Sequence, residues 1–530
     1  MSRLFLFLLF GCAEFGQHVE SARILGVFPV AGKSVNILYN KLMTGLADAG
    51  HDVTVISAFE NKRKIKNGSL TDVILTGFEE KYDVLLASMD MYNTPIQSPI
   101  WASHYMQKVF LHINNNTFWH PNVRKFLKEK NEFDLVISEY FWNDALSEFA
   151  AIYNCPLVIF TSMGGVNPWL GQMVGNPMPI SYVPHFHANK DAFRDMGFFP
   201  RLHNFFYYLY DPIHNYFVGW PDHNELIREA LKDIPEIAKN VQDVAELYYN
   251  PSLILLGSHS SIRQAVPVAP NVVEIGGFHI EPPKKLPKDL QDFLDGATDG
   301  VIYFSMGSHL ESKSFSEEKK KIFLEVFRKT KLKVLWKFED DLLPGKSDNV
   351  LIKKWLPQMD ILAHPNVKLF LSHGGYASTL ETVYNGKPSL MVPVLIDQLG
   401  NAQEATHQGY ALTIPYNDEN FSEATLSSMI NEMVTNPKYA ERAKSISEVF
   451  HDRPMKPLDT AIYWIEYVIR HKGADHLKLA GRLLPWYKFY MVDVLVFLIS
   501  VIFIVIYLPI RLVKGLFTPK KSSKTKVKRN

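Results

Sequence analysis

The chain has 530 residues, a formal net charge of +1, 47% apolar residues and 13% aromatic ones. That length calls for two or more domains and supplies enough apolar material for sizeable cores. The near-neutral balance gives no reason to expect a nucleic-acid partner, and two cysteines, Cys12 and Cys155, exclude a disulfide framework.

The first 22 residues open with one early positive charge, run apolar from Leu4 to Phe10, and pass small residues at Gly11 and Ala13. That is the layout of a secretory signal peptide, too short to span a bilayer. Cleavage fits after Ala13, Gly16 or Ala22.

From Arg23 onward, strand-like and helix-like stretches alternate. "RILGVF" (23–28) is apolar and β-leaning. Residues 35–50 carry Ile37, Leu38, Lys41, Leu42, Gly45 and Leu46 at helical spacing, with Gly50 as the stop, and "HDVTVIS" (51–57) is the next strand. Its opening His51 reads as structural. The first turn contains Gly26 and then Gly32-Lys33-Ser34, which resembles a phosphate-cradling G-x-x-x-x-G-K-[ST] loop. That loop has four residues between its glycines; here there are five. The rhythm returns in "FDLVIS" (133–138), a helix over Asp144–Tyr153, "PLVIF" (156–160) and "SLILL" (252–256). Alternation of this kind implies a doubly wound parallel sheet. Residues 165–225 break it with Pro, Met and aromatics. They read as a buried helical excursion, or as the lining of a lipophilic cleft or a patch dipping into a membrane.

A Pro/Lys-rich connector (281–290) opens an interdomain linker expected over 281–299. A second series follows: strand and tight loop in "GVIYFSMGS" (300–308), then strands at 332–338, 349–355, 366–372 and 388–394. Ser314 with Glu317 reads as a capping box for the intervening helix. Two doubly wound α/β domains facing each other across a cleft is the architecture this pattern asks for.

Near the end, Val494–Ile510 gives seventeen residues without a charge, with Trp486, Tyr487 and Tyr490 as an interfacial belt. A transmembrane anchor is expected over 486–510. Residues 511–530 hold eight Lys/Arg and no acid, which fixes this tail in the cytosol and the body in the lumen. Lys526 and Lys528 match the dilysine retrieval pattern of the endoplasmic reticulum, and sequons at Asn67, Asn115 and Asn420 accord with a lumenal glycoprotein. The expectation is a single-pass type I membrane protein.

The polar residues of the second half fall where strands end and helices start, the place where open α/β sheets bind ligands. "FSMGS" offers Ser305 and Ser308 beside Gly307. "SHGGYAST" (372–379) supplies His373, two glycines and Ser378 at a helix start, which favours anionic oxygens. Glu381 is one turn further in. Asp397 and Gln398 suit sugar hydroxyls, and the turn Trp355–Gln358 suits a nucleobase, by stacking and by edge hydrogen bonds.

Taken together, "WLPQMDILAHPNVKLFLSHGGYASTLETVYNGKPSLMVPVLIDQ" (355–398) closely resembles the signature of the UDP-glycosyltransferases. Weaker resemblance covers nearly the whole chain and is strongest to the membrane-bound, insect-like members. It implies a GT-B fold, with an acceptor-binding domain at 23–280 and a UDP-sugar-binding domain at 300–485 with C-terminal helices. It also implies inverting transfer of a sugar, without a metal, to a small lipophilic hydroxyl acceptor, as in detoxification. UDP-sugar is then a co-substrate rather than a bound cofactor, UDP-glucose being favoured over UDP-glucuronate. Homo- or hetero-oligomers with homologues are left open. By position, Trp355 and Gln358 would hold uracil and Glu381 the ribose. His373, Gly375, Ser378 and Ser308 would hold the diphosphate, and Asp397 with Gln398 the transferred sugar. Ser389 stands where an apolar residue usually follows the proline.

One departure bears on catalysis. The family's base is a histidine at the start of the first helix, oriented by an acid of the N-terminal domain. Here Val35 stands in that place, between Ser34 and Asn36, and no histidine occurs between His18 and His51. The acid maps to Glu139, which becomes the tentative base. The alternative is a homologue that binds UDP-sugar and lipophile without turnover.

Overall fold

The computed structural model describes residues 21–517, apart from 89–91, 93–98, 163, 165–166, 186–195, 309 and 395–396. The expected signal peptide (but for its last two residues) and the dilysine motif lie outside the described residues.

Seven strands form the first sheet: β1 (Arg23–Phe28), β2 (Asp52–Ser57), β3 (Ser69–Ile74), β4 (Leu135–Glu139), β5 (Leu157–Thr161), β6 (Leu253–Leu256) and β7 (Val272–Glu274). Their order is β3-β2-β1-β4-β5-β6-β7, and every pairing is parallel. Six more form the second: β8 (Val301–Ser305), β9 (Lys333–Lys337), β10 (Val350–Lys353), β11 (Val367–Ser372), β12 (Ser389–Met391) and β13 (Ala411–Thr413). They are ordered β10-β9-β8-β11-β12-β13, again all parallel. Each sheet reverses its winding once, between β1 and β4 and between β8 and β11. Crevices for ligands open at the carboxyl ends of such strand pairs. The central strands are apolar on both faces because helices cover both.

The first turn is not a phosphate loop. Gly26 lies inside β1, paired with Val55 and Ile137. A Cβ there would stand 2.7 Å from Cε of Met43, so the glycine lets the helix Lys33–Asp48 pack closely on the sheet. Lys33 points to Glu79 at 3.8 Å. Gly50 has φ of +109°, which ends the helix where the sequence placed its stop.

One expectation needs correction. The helix after β8 is capped by Ser316, whose side chain accepts from Lys319 N, and begins at Glu317. Ser314 belongs instead to a 3-10 turn, Ser312–Ser314, so its hydroxyl sits a turn too early to cap. The linker over 281–299 contains the helix Lys288–Asp295, whose Leu290 and Leu294 are buried with Val301, Leu335 and Ile361 of the second sheet layer. One of the C-terminal helices of the second half packs away from the second sheet. The helix Pro457–Arg470 returns to the first sheet, burying Ala461, Ile465 and Val468 against Leu42, Leu46 and Leu253. His51 joins this return: its Nδ1 accepts from Ala22 N at 3.3 Å and its Nε2 faces Glu466 at 3.4 Å.

Residues from Ala480 onward form a separate unit. Its apolar segment is one helical run, Val492–Phe517, of 26 residues with its apolar window wholly exposed. By length and composition it can cross a membrane. The run begins after Trp486, Tyr487 and Tyr490 and extends past Ile510.

Candidate functional site

In the second half, β8 and β11 run in register, with Ser305 opposite Ser372, and end in matching turns. Ser305 Oγ accepts from Gly307 N at 3.2 Å, and Ser372 Oγ accepts from Gly374 N at 3.2 Å. Gly307 and Gly374 both have positive φ, +84° and +79°. His373 fills the gap between the two turns. A Cβ on Gly307 would lie 2.6 Å from the ring's Cε1, and one on Gly375 2.3 Å from its Nε2. Only glycine leaves room for this imidazole on both sides. A Cβ on Gly374 would meet the Gln398 carbonyl oxygen at 2.9 Å, so that turn is also shaped by close backbone approach.

Gly375 caps the helix Tyr376–Tyr384 without a side-chain hydrogen bond, and the first turn presents backbone N–H donors there. Ser308 lies half-buried on the neighbouring turn.

Gln358 opens the helix Gln358–Leu362 and gathers a second cluster. Its Nε2 donates to Ser378 Oγ at 3.0 Å and to Glu381 Oε2. Its Oε1 accepts from the Tyr303 hydroxyl at 3.1 Å, and that ring stacks on Phe370. Burial pushes the Glu381 carboxyl up to about 7, with the Gln358 hydrogen bond pulling the other way. Trp355, at the other end of the turn, is 66% exposed, an indole left open beside a built polar cluster.

Asp397 caps the helix Gln398–Gln408, and its carboxyl is raised by burial, opposed by Asn401 and by the charge of Arg263. Asn401 is the hub. Its Nδ2 donates to Asp397 Oδ2 at 2.7 Å and to the Gly374 carbonyl at 3.0 Å, and its Oδ1 accepts from Arg263 Nη2 at 2.5 Å. Gln398 is buried, and its Oε1 accepts from Val394 N at 2.9 Å.

The structure therefore brings His373, Gly375 and the Gly307 turn together, and Gln358, Ser378 and Glu381 together. Asp397 is joined to the Gly374 turn through Asn401. Sequence reading missed Asn401, Tyr303 and Arg263. Asn401 was open to discovery, being one helical turn after Asp397. Arg263 comes from the loop after β6 in the other half and has no local sequence signal.

In the first half, the switch point lies between Val35 and Glu139. Val35, in the first turn of its helix, is half-buried against the apolar cluster under the first sheet. Glu139 ends β4 and is 2% exposed. Its Oε1 accepts from Ser162 Oγ, and its Oε2 has no hydrogen-bond partner among the described residues. Burial lifts this carboxyl to about 7, against the lowering effect of Ser162. Two residues beyond Ser162, Gly164 lies against the Tyr376 ring of the second half. The same short loop thus touches Glu139 and the helix that follows His373.

The family model described as "UDP-glucoronosyl and UDP-glucosyl transferase" matches residues 24–528. UDP-glycosyltransferase UGT5 of Dactylopius coccus is 36% identical over 495 residues, 92% of this chain and 91% of the relative. UDP-glucosyltransferase 2 of the same species is 35% identical over 519 residues, 96% of each chain. UDP-glucuronosyltransferase 2B15 of Rattus norvegicus is 32% identical over 406 residues, 75% of this chain and 73% of the relative. Among solved structures, the calicheamicin glycosyltransferase CalG4 matches with a TM-score of 0.57 at 17% identity, over 85% of this chain and 99% of that one. Glycosyltransferase VinC in complex with DTDP matches with a TM-score of 0.55 at 17% identity, over 85% and 100%. These likenesses show the fold, a GT-B pair of Rossmann-like domains. With the family model spanning nearly every residue, the chain belongs to the UDP-glucoronosyl and UDP-glucosyl transferase family.

Proposed function

We propose that this glycosyltransferase moves glucose from UDP-glucose to a small lipophilic hydroxyl compound, with inversion, and that Glu139 is its base. The observation that carries the base assignment is a buried carboxylate with one unpartnered oxygen at the switch point of the first sheet, where Val35 offers no imidazole. A base poised near 7 has the ionisation suited to proton abstraction at neutral pH. The acceptor hydroxyl gives its proton to Glu139 Oε2, directly or through one water, and its oxygen bonds the anomeric carbon. The bond from that carbon to the UDP oxygen breaks, and UDP leaves with the electron pair.

On this reading, Trp355 and Gln358 hold uracil and Glu381 the ribose. His373, Gly375, Ser378 and Ser308 meet the diphosphate, whose charge a helix start favours. Asp397 and Gln398 hold the sugar. The choice of glucose rests on the name of UDP-glucosyltransferase 2 among the relatives. We place the body in the lumen of the endoplasmic reticulum, on the signal-like start, the apolar helix Val492–Phe517 and the basic tail.

A second reading, a UDP-sugar and lipophile binder without turnover, is favoured by Val35 itself. Full-length protein in membranes, assayed for UDP-glucose binding and for transfer to a panel of phenols, decides between them. Glu139→Gln is expected to leave UDP-glucose affinity unchanged and to cut transfer about 10²- to 10⁴-fold. Binding without transfer in the wild type, with transfer created by Val35→His, establishes the binder. Glucuronate transfer in preference to glucose overturns the donor assignment.

A further inference from the structure

Tyr39 lies on the helix Lys33–Asp48 one turn after Val35, so the two side chains share the face turned toward the first sheet. Phe28 of β1, Val55 of β2 and Ile137 of β4 are buried there with Tyr39 and Leu42. Alternation along each strand puts Ser57, two residues after Val55, and Glu139, two after Ile137, on the same face. Register sets them level: Ser57 pairs with Phe28, and Glu139 stands one step beyond the Val27–Ser138 pair. Phe28 therefore lies between Ser57 and Glu139. The Tyr39 ring stacks on it, with centroids 4.6 Å apart and planes 4° off parallel.

A phenol in that place has a hydroxyl to account for. Tyr39 is 1% exposed, and its hydroxyl has no hydrogen-bond partner among the described residues. Ser57 is near, but its Oγ donates to the Phe59 carbonyl at 2.9 Å. Phenylalanine would fill the stack without burying an unpaired O–H. Glu139 carries the matching deficit, since its Oε1 accepts from Ser162 and its Oε2 is unpartnered. The carboxylate is close enough for its charge to act on the phenol, as does that of Asp72 on β3. Burial, opposed by Ser57 and reinforced by these two charges, holds the phenol far above its ordinary value. It is therefore a proton donor at every physiological pH.

We propose that Tyr39 is a positioning residue for Glu139: its hydroxyl donates to Oε2, directly or through one water, when the carboxylate is ionised. The proposal rests on the reading of Glu139 as the base. Oε2 has two lone pairs, so one accepts from Tyr39 and the other stays open to the proton of the acceptor. Stacking on Phe28 fixes the ring before the acceptor arrives, and only the O–H bond is left to rotate. A hydrogen bond to the charged form favours that form, so Tyr39 works against the effect of burial on Glu139.

The test compares the full chain in membranes with two variants. Tyr39→Phe keeps the stack and removes only the hydroxyl, and Ser57→Ala removes the other hydroxyl near the ring. In transfer assays Tyr39→Phe should raise the midpoint of the pH–rate profile by about one pH unit, about a tenfold loss of rate well below that midpoint. UDP-glucose affinity should not change, and Ser57→Ala should leave the midpoint in place. A midpoint unmoved by Tyr39→Phe, or moved by Ser57→Ala instead, overturns the proposal. Thermal melts decide it without turnover. Tyr39→Phe should lower the melting temperature more at about pH 8 than at about pH 5, and that pH-dependent part should vanish in the Glu139→Gln background. A loss equal at both pH values, or untouched by Glu139→Gln, marks a packing role and overturns the proposal. Absence of transfer by the wild type at every pH sinks the base reading alone, and the melts still judge the pairing.

Discussion

Gly164 and Tyr376 touch so closely that a Cβ on the glycine would lie 1.9 Å from Cε2 of the ring. Tyr376 is buried, with the Arg263 guanidinium 5.0 Å over its ring, so it has little room to yield. Gly164→Ala should therefore overpack the junction and cost about 1–3 kcal/mol. Because the same loop carries Ser162, transfer should fall further than thermal stability alone explains. Thermal melts and initial rates on one preparation check this; a normal rate in a destabilised variant separates the loop from catalysis.

Glu139 makes a prediction about pH. Its folded-state value of about 7 lies above the ordinary carboxyl range near 4.5. Between those values the folded chain keeps a proton that the unfolded chain has released. Stability from this group is thus full below about 4.5 and lost as pH rises through about 7. On the proposed reaction, with Glu139 as base, turnover needs the ionised form and should rise across the same interval. Glu139→Gln should accordingly gain in melting temperature relative to wild type on going from about pH 5 to about pH 8. A pH-independent difference would show that the carboxyl is not held protonated in the folded state.

Gly307→Ala should damage the donor side. The backbone there has φ of +84°, and the new methyl would meet the His373 ring. The left-handed conformation alone costs about 1–2 kcal/mol for an L residue. UDP-glucose affinity, measured by calorimetry, should drop at least about tenfold, the equivalent of about 1.4 kcal/mol. Ser305→Ala removes only the hydroxyl that accepts from Gly307 N and should cost less than Gly307→Ala.

Ile465→Ala tests the returning helix. Ile465 is fully buried in the core under the first sheet, and truncation should cost about 2–5 kcal/mol. Tyr463, 44% exposed on the same helix, should tolerate alanine within about 0.5 kcal/mol. The first melting transition of the full chain should shift only for the buried position.

The sequons divide by structure. Asn67 and Asn420 are exposed, whereas Thr117 of the Asn115 sequon is buried inside the helix Pro99–Trp119 and donates to the Ile113 carbonyl at 2.8 Å. Peptide mapping after expression in a secretory system should find glycan at Asn67 and Asn420 and none at Asn115.

The fold was legible where strands are central. Runs such as "ILGVF" and "KLFLS" are apolar on both faces because both faces are covered. Edge strands β3, β7 and β13 escaped because they are short or half-exposed, and "SLTDVI" alternates too weakly to stand out. The cap at Ser316 was misplaced by two residues for a related reason: a serine-rich stretch offers several local choices, and packing selects one.

For the site, sequence alone placed the polar residues at strand ends and helix starts, because alternating strands and helices imply a doubly wound parallel sheet whose ligand crevices lie there. It also determined that position 35 carries no base. The close fit of His373 between two glycines, the Asn401 hub and the Gly164–Tyr376 contact were decided by tertiary structure. Each joins segments tens to hundreds of residues apart. So was the environment of Glu139: an ordinary glutamate in the sequence becomes a carboxyl near 7 only because folding removes water from it. The helix Phe198–His214 followed the same logic. Its apolar stripe is written in the sequence, but only the buried Asn204, Asp211 and Asn215 on the opposite side show which way it faces.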